Sequence, residues 1–269
     1  MGAQRGQQAR RAQESDAVLA YRVRTRTATI TMDDPEHGNA LSIGMMGNLR
    51  EAFEAARRDP EVDLVVLRAT GRQFCIGADL GWICALACGD ALLWRAGMEA
   101  LTCLLDDLHT FPKPLVARVH GSVIGGGVAM LALCDAVIAV REARWRLPEV
   151  KLGMVPTAVL PPLQGVVPAG LLRRLLFEEG SWDSATAQHF GLATEVVDAD
   201  ALDAAVQARV ESWLALPAVT FAATKGLLRE MDRARFRQQM EMTRPHVESA
   251  IDGNDARERV GALLAGSSR

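Results

Sequence analysis

The chain has 269 residues, of which 49% are hydrophobic and 23% charged, and its formal net charge is -3. These proportions are typical of a globular protein and exclude a disordered chain. The weak net charge gives no indication of nucleic-acid binding, and no apolar run approaches the roughly 20 residues of a membrane helix. The sequence therefore predicts a soluble protein that binds neither nucleic acid nor membrane.

The first 16 residues, 1–16, are rich in arginine and glutamine and lack the apolar segment of a secretory signal. They predict a flexible tail, with a transit peptide as the weaker alternative. The five cysteines are odd in number and lie among apolar residues, which favours free thiols and a cytoplasmic location. Cys84 and Cys88 are one helical turn apart, but no further ligands complete a metal set, so we expect no metal site.

Beyond the tail, strand-like apolar runs alternate with runs of helical periodicity. The predicted strands are 18–23, 28–32, 64–69, 115–119 and 136–140. The predicted helices run from Ser42 as N-cap to about Arg58, from near Ala78 through Leu86, and over 92–108, 128–133, 201–214 and 219–231, with a mostly helical pattern from Leu171 onward. This order predicts an α/β core over 17–200 and a C-terminal helical region over 201–269.

The most informative motif runs from His120 to Gly127, where a predicted strand turns into a helix through three consecutive glycines. Glycines at such a turn leave backbone N–H groups bare and allow a ligand to approach the main chain. A tight turn that serves only close helix packing is the alternative. The spacing matches neither a dinucleotide-binding motif nor a P-loop.

A second turn of the same kind lies between Phe74 and Leu80. Here a strand ends, the chain turns through Gly77, and a helix is expected to begin near Ala78. Two such turns on neighbouring strands could provide a two-donor oxyanion hole. Each donor of that kind is worth about 3 to 4 kcal/mol of transition-state stabilisation.

Together these motifs resemble the crotonase superfamily of enoyl-CoA hydratases and isomerases, from about Val18 to the C-terminus. The markers are Asp34-Pro35, Asn39-Ala40-Leu41, Phe74 to Leu80, Gly121, Gly125 to Gly127, Cys134-Asp135, Pro148 to Gly153, and Gly191 to Ala193 leading to Val197. The resemblance implies a spiral of ββα turns, as in ClpP and crotonase, with a C-terminal helical trimerisation region. It also implies a homotrimer or a dimer of trimers.

Matched residue by residue, the resemblance implies an oxyanion hole formed by the amides of Ala78 and Gly126, with Glu149 as the catalytic residue. The substrate would be an acyl thioester of coenzyme A or of an acyl carrier protein. No other cofactor is implied, because coenzyme A or phosphopantetheine enters as part of the substrate. The residues expected to bind it are Asn39, Ala40, Leu41, Asp79, Leu80, Trp82, Gly125 and Pro156.

One departure from the family pattern bears on the reaction. The two-glutamate hydratases carry a glutamate two residues after the triple glycine, where this chain has Ala129, while the second glutamate is kept as Glu149. A surface salt bridge is the ordinary fate of a lone glutamate. As a single general acid/base, however, Glu149 could catalyse isomerisation of an enoyl thioester or loss of water from a 3-hydroxyacyl thioester. A general acid/base of this kind accelerates a reaction by about 10² to 10⁴-fold.

Three alternatives stay open from the sequence. The segment from Pro156 to Leu163 is similar to one in the dehydratases of polyketide β-branching, which act on a 3-hydroxy-3-methylglutaryl group held on a carrier protein. That subgroup often lacks the full triple glycine. A hydrolase or decarboxylase on the same scaffold is the second alternative, and a non-catalytic trimeric scaffold protein is the third.

Overall fold

The computed structural model describes residues 18–178 and 180–267. The predicted tail, 1–16, lies outside the described residues. The strands are β1 (Leu19–Arg24), β2 (Thr27–Met32), β3 (Leu64–Ala69), β4 (Leu115–Val119), β5 (Val123–Ile124), β6 (Ala136–Val140), β7 (Arg144–Arg146), β8 (Trp182–Asp183) and β9 (Glu195–Val197).

Helices cover the sheets and form the C-terminal region. They are α1 (Ile43–Arg58), α2 (Leu80–Cys88), α3 (Ala91–His109), α4 (Gly126–Leu131), α5 (Leu160–Val166), α6 (Ala169–Phe177), α7 (Ser184–His189), α8 (Leu202–Leu214), α9 (Ala218–Thr243), α10 (Pro245–Asp252) and α11 (Asn254–Ser267). Short 3₁₀ turns are present at Pro35–His37, Val150–Leu152 and Ala199–Ala201. Among the described residues, no helix is long and apolar enough to cross a bilayer.

The larger sheet has six strands in the order β1-β2-β3-β4-β6-β9. The first pair is antiparallel, with Leu19 opposite Met32, and the remaining pairs are parallel. All five residues of β6 are buried, as expected of a parallel strand covered on both faces. The bounds of β3, β4 and β6 are those that the apolar runs predicted.

Local sequence explains why α1 begins where predicted. The Ser42 hydroxyl accepts a hydrogen bond from the Met45 amide at 3.0 Å, which satisfies one of the free donors of the first turn. Met45, Leu49 and Phe53 then recur at helical spacing and are almost fully buried.

Two predicted helix starts differ from the observed ones by two residues, and the mostly helical region after Leu171 contains two strands that were not predicted. The helix expected near Ala78 begins at Leu80, because the Asp79 carboxylate accepts the Gly81 amide at 2.8 Å and caps the helix there. The helix expected at 128–133 begins two residues earlier, at Gly126. The region after Leu171 also contains strands β8 and β9, which are too short to show a period and are defined by their pairing partners.

A smaller sheet, in the order β5-β7-β8, lies beside the functional turns. β5 pairs parallel to β7 through Val123 opposite Trp145, and an isolated bridge joins Val123 to Cys75. A second bridge joins Leu41 to Ala78. These contacts bring the turn at Gly77, the triple glycine and the end of β7 to one place in the fold.

The C-terminal helices pack on the core. α8 lies against β4 and β6, and α11 lies against α2. The indole N–H of Trp94 on α3 donates to the Val247 carbonyl of α10 at 3.0 Å. The helical region therefore contributes to the surroundings of α2 and α3, which follow the Gly77 turn.

Candidate active site

A cavity of about 330 Å³ opens where these turns meet, between α2, α3 and the segment that follows β7. Its walls are mainly apolar, and two charged side chains, Arg146 and Glu149, line it in the described part of the chain. An apolar cavity with a few polar groups is the usual form of a small-molecule site. Predicted site residues on its wall are Ala78, Leu80, Trp82, Gly125, Gly126, Glu149 and Pro156.

The first functional turn depends on Gly77. Its φ of +82° is left-handed, and a Cβ at this position would lie 2.6 Å from the Ile124 carbonyl oxygen. A side chain is therefore excluded on both counts. The same Cβ position is 3.5 Å from the Gly126 nitrogen, so the two predicted oxyanion turns adjoin each other. The Leu41 amide donates to the Gly77 carbonyl at 2.7 Å and holds this turn in place.

The amides of Ala78 and Gly126 are free of internal acceptors. Within residues 18–178 and 180–267, neither N–H donates a hydrogen bond, although the neighbouring Leu41 and Gly125 amides do. Gly126 is the first residue of α4, where the helix supplies no acceptor. Two free donors on adjoining turns are the arrangement that an oxyanion hole requires.

Glu149 follows β7, at the start of the 3₁₀ turn Val150–Leu152. Its Oε2 atom is buried and has no hydrogen-bond partner among the described residues. A Cβ on Gly125 would lie 2.9 Å from Glu149 Oε1, so the carboxylate lies against Gly125, the residue that precedes Gly126. The glycine at position 125 makes room for the carboxylate.

Burial raises the pKa of Glu149 from 4.5 to about 7, an effect that its own backbone amide and the positive charge of Arg146 partly offset. Desolvation penalises the ionised form, and these two contributions compensate for it only in part. A carboxyl group with a pKa near neutrality can both take and return a proton at physiological pH. The ordinary surface salt bridge is excluded for this side chain, because Oε2 is buried and unpaired.

Trp82, Leu80 and Pro156, three of the residues predicted to bind the substrate, lie on the cavity wall. The Trp82 indole N–H donates to the Leu41 carbonyl at 2.8 Å, and its ring centroid is 5.4 Å from that of Trp94. Both tryptophans are nearly fully buried. Trp82 therefore joins the cavity wall to the Asn39-Ala40-Leu41 segment behind it.

Asn39, Ala40, Leu41 and Asp79 are absent from the cavity wall. The fully buried Asn39 amide nitrogen donates to the carbonyls of Thr70 and Gln73, each at 2.9 Å. Its side-chain oxygen accepts the Asp34 amide at 2.9 Å, so its polar atoms are engaged internally. These residues shape the loops behind the site, and their contact with coenzyme A stays a prediction.

Sequence reasoning missed Arg146 as a cavity residue. The run Arg144–Arg146 is exposed, buried and exposed in turn, and the buried Trp145 donates to the Ser184 hydroxyl at 3.2 Å. The alternation of side chains along the strand just before Pro148 and Glu149 is the signal that could have indicated Arg146 as a cavity residue. Leu263 of α11 also lines the cavity, and no local pattern indicates a residue so distant in sequence.

Residues 23–264 match the enoyl-CoA hydratase/isomerase family. The chain belongs to this family. The predicted crotonase-superfamily membership is therefore confirmed, and so is the prediction that the chain is a crotonase-family enzyme of the lyase/isomerase type.

Several named relatives share this family. A crotonyl-CoA hydratase from Syntrophomonas wolfei is 29% identical over 219 residues, which cover 78% of this chain and 82% of the relative. The (7aS)-7a-methyl-1,5-dioxo-2,3,5,6,7,7a-hexahydro-1H-indene-carboxyl-CoA hydrolase from Mycobacterium tuberculosis is 32% identical over 186 residues, or 65% of this chain and 69% of the relative. The chain is thus similar to a hydratase and to a hydrolase at comparable identity.

Solved structures confirm the predicted crotonase fold. An enoyl-CoA hydratase/isomerase from Pseudoalteromonas atlantica matches with a TM-score of 0.81 and 26% identity, covering 93% of this chain and 98% of that one. An enoyl-CoA hydratase from Bacillus halodurans has a TM-score of 0.84, with 91% and 100% coverage. At 24% identity the latter supports the fold alone.

Proposed function

We propose that the chain catalyses double-bond isomerisation or hydration/dehydration of an acyl thioester, with Glu149 as its single acid/base. The observation that supports this most is that Glu149, whose buried Oε2 atom has no partner among the described residues, lines one apolar cavity together with Ala78 and Gly126. Membership of the enoyl-CoA hydratase/isomerase family supports an acyl-CoA substrate.

In the proposed reaction, the thioester oxygen accepts hydrogen bonds from the amides of Ala78 and Gly126. Glu149 removes a proton from Cα, and the electron pair of the broken C–H bond moves onto the thioester oxygen as an enolate. Backbone dipoles fixed before the reaction stabilise that charge without reorganisation. The burial that raises the pKa of Glu149 also makes its carboxylate a stronger base.

The proton then has two destinations that one carboxyl group can serve. Returned to Cγ of a 3-enoyl thioester, it completes isomerisation to the 2-enoyl form. Delivered to a 3-hydroxyl group, it expels water and leaves the 2-enoyl thioester, and the reverse is hydration. A second carboxylate is missing from the position that Ala129 occupies, which is fully buried in α4. This favours reactions that one acid/base can complete on one face of the substrate.

Dehydration of a 3-hydroxy-3-methylglutaryl group on a carrier protein is the alternative within this chemistry. It is favoured by the segment from Pro156 to Leu163, since residues Pro156, Thr157, Ala158 and Val159 form part of the cavity wall. Hydrolysis is the next alternative, supported by the identity to the mycobacterial hydrolase. A non-catalytic scaffold role would not explain why Glu149 Oε2 is buried without a partner among the described residues.

Assembly as a homotrimer or a dimer of trimers is also proposed. On α9, the side chains of Leu227, Leu228 and Met231 are each more than half exposed in the single chain. Apolar side chains exposed in a group mark an association surface. Light scattering of the purified protein would show three or six copies. Delivery of the acyl group by coenzyme A or a carrier protein and residence in the cytoplasm stay predictions.

The test is turnover of crotonyl-CoA and of 3-hexenoyl-CoA, followed by ultraviolet absorbance, for the wild type and Glu149→Gln. We expect conversion by the wild type and a loss of at least about 10²-fold in the variant. If neither thioester reacts, the corresponding acyl groups on a carrier protein are assayed next. Activity that Glu149→Gln retains in full would refute the proposal, and failure with both carriers would favour the non-catalytic role.

A further inference from the structure

Arg146 is the cationic side chain on the cavity wall, and the proposed reaction does not use it. It is the last residue of β7, exposed, and its carbonyl accepts the Gly125 amide at 2.9 Å. Because Gly125 also lies against the Glu149 carboxylate, Arg146 and Glu149 both contact the same glycine, Arg146 through its carbonyl oxygen. Its charge is close enough to lower the pKa of Glu149.

The guanidinium of Arg146 has no fixed partner among the described residues. In the described part of the chain, it makes no hydrogen bond and no ion pair. It also borders a second, polar cavity of about 340 Å³ that contains Glu178 and Asp255. Glu178 is paired with Arg174 at 2.8 Å, and no ion pair joins Arg146 to Asp255. A guanidinium carries five donors in a planar fork that matches a carboxylate, so Arg146 offers an unused anion-binding group.

We propose that the acyl group of the substrate carries a second carboxylate, which Arg146 binds. This proposal rests on the proposed function in one respect, which is that the acyl chain of the substrate occupies the cavity lined by Glu149. With the thioester oxygen at the amides of Ala78 and Gly126, the chain extends past Glu149 along a wall where Arg146 is the one cation among the described residues. The substrate class is therefore a dicarboxylic acyl thioester, whose distal charge pairs with Arg146.

The walls of the cavity strengthen this assignment. Apart from Arg146, Glu149 and Thr157, they are formed by apolar side chains such as Trp82, Met98 and Leu101 and by glycines. A distal carboxylate would be poorly solvated there without a cation, whereas an aliphatic chain would need none. Charge-assisted pairs with a guanidinium are stronger and more directional than neutral hydrogen bonds, which gives selectivity between the two substrate types.

Equilibrium binding tests the proposal independently of catalysis. Trp82 and Trp94 lie on the cavity wall, so quenching of tryptophan fluorescence reports occupancy. Dissociation constants are measured for three unreactive pairs matched in length: butyryl- and succinyl-CoA, pentanoyl- and glutaryl-CoA, and hexanoyl- and adipyl-CoA. The proteins are the wild type, Arg146→Gln, Arg146→Lys and the control Arg144→Gln, a like change of charge on the same strand but off the cavity wall.

For at least one pair, we expect the wild type to bind the dicarboxylic thioester about 10- to 100-fold more tightly than its neutral match. Arg146→Gln should abolish that ratio, Arg146→Lys should keep part of it, and Arg144→Gln should leave it unchanged. A ratio near one in the wild type overturns the proposal. Equal weakening of both members by Arg146→Gln also overturns it, and would assign Arg146 to the phosphates of coenzyme A. If the ratio holds but Glu149→Gln remains fully active, the catalytic proposal fails while this one stands.

Discussion

Replacing Glu149 by glutamine should make the folded protein more stable above neutral pH, although it should abolish activity. The wild-type carboxyl group is buried with Oε2 unpaired, so its ionised form is less stable in the folded chain than in the unfolded one. Its pKa is about 7 in the folded state against the ordinary 4.5. Glutamine has nearly the same shape and carries no charge at any pH.

The magnitude follows from that difference in pKa. Each unit of pKa corresponds to about 1.4 kcal/mol, so a rise in pKa from 4.5 to about 7 costs at most about 3.5 kcal/mol of stability. The pKa of Glu149 is higher in the folded state than in the unfolded state. The protonated carboxyl group therefore contributes fully to folding stability below pH 4.5, and this contribution is lost as the pH rises through about 7. The residue is partly exposed, which reduces the expected gain for Glu149→Gln to about 1 to 3 kcal/mol at pH 8.

Urea denaturation at pH 5, 6, 7 and 8 and at one fixed protein concentration measures the effect. The free energies of unfolding of the wild type and Glu149→Gln should differ by less than about 1 kcal/mol at pH 5 and diverge towards pH 8. The control is Glu142→Gln, at an exposed residue just before β7, which should change stability by less than about 0.5 kcal/mol throughout. If Glu149→Gln is no more stable than the wild type at pH 8, the carboxyl group is not desolvated and our account of its basicity is wrong.

Three further predictions concern the same site. The kcat/KM for a 3-enoyl thioester should rise tenfold per pH unit below about 7 and level off above it, since Glu149 must be ionised to take a proton; a flat profile between pH 5 and 8 would contradict this. Gly125→Ala, where φ is +53° and a Cβ would lie 2.9 Å from Glu149 Oε1, should lower kcat by at least about 10²-fold. Gly47→Ala, where a Cβ meets open space, should keep full activity, and equal losses in the two variants would refute the geometry. Asn39→Ala should destabilise the fold by about 3 kcal/mol in urea through loss of three part-buried hydrogen bonds, and a change below about 1 kcal/mol would contradict their role.

The central strands could be predicted closely from sequence because burial on both faces leaves an unbroken apolar run, as in β3 and β6. The C-terminal end of α9 could not be predicted from the sequence. The apolar pattern fades after Met231, but the helix continues to Thr243 through arginine, glutamine and glutamate, which are good helix formers. Over these residues the apolar pattern indicates the end of the helix, whereas helix propensity indicates that it continues. Helix propensity gives the boundary closer to the one observed.

Some features of the candidate site could likewise be predicted from the sequence, and others could not. The glycine turns at Gly77 and Gly125 are visible in sequence because their positive φ and close contacts exclude side chains. What the sequence could not show is that the Asn39 side chain is hydrogen-bonded to the loop behind the wall, or that the Arg146 guanidinium lacks a partner among the residues that the structure describes. Both facts depend on residues far apart in the chain, which only the folded structure brings into contact.

The most direct test of the central claim is exchange of the α-protons of saturated acyl thioesters in D₂O, followed by NMR and mass spectrometry. This exchange needs only the oxyanion hole and the base, so it requires neither a leaving group nor a double bond. With hexanoyl-CoA and adipyl-CoA as substrates, our account predicts deuterium at Cα with the wild type and a rate at least about 10²-fold lower with Glu149→Gln. Exchange that is as fast with Glu149→Gln as with the wild type would show that another group moves the proton and would contradict the account.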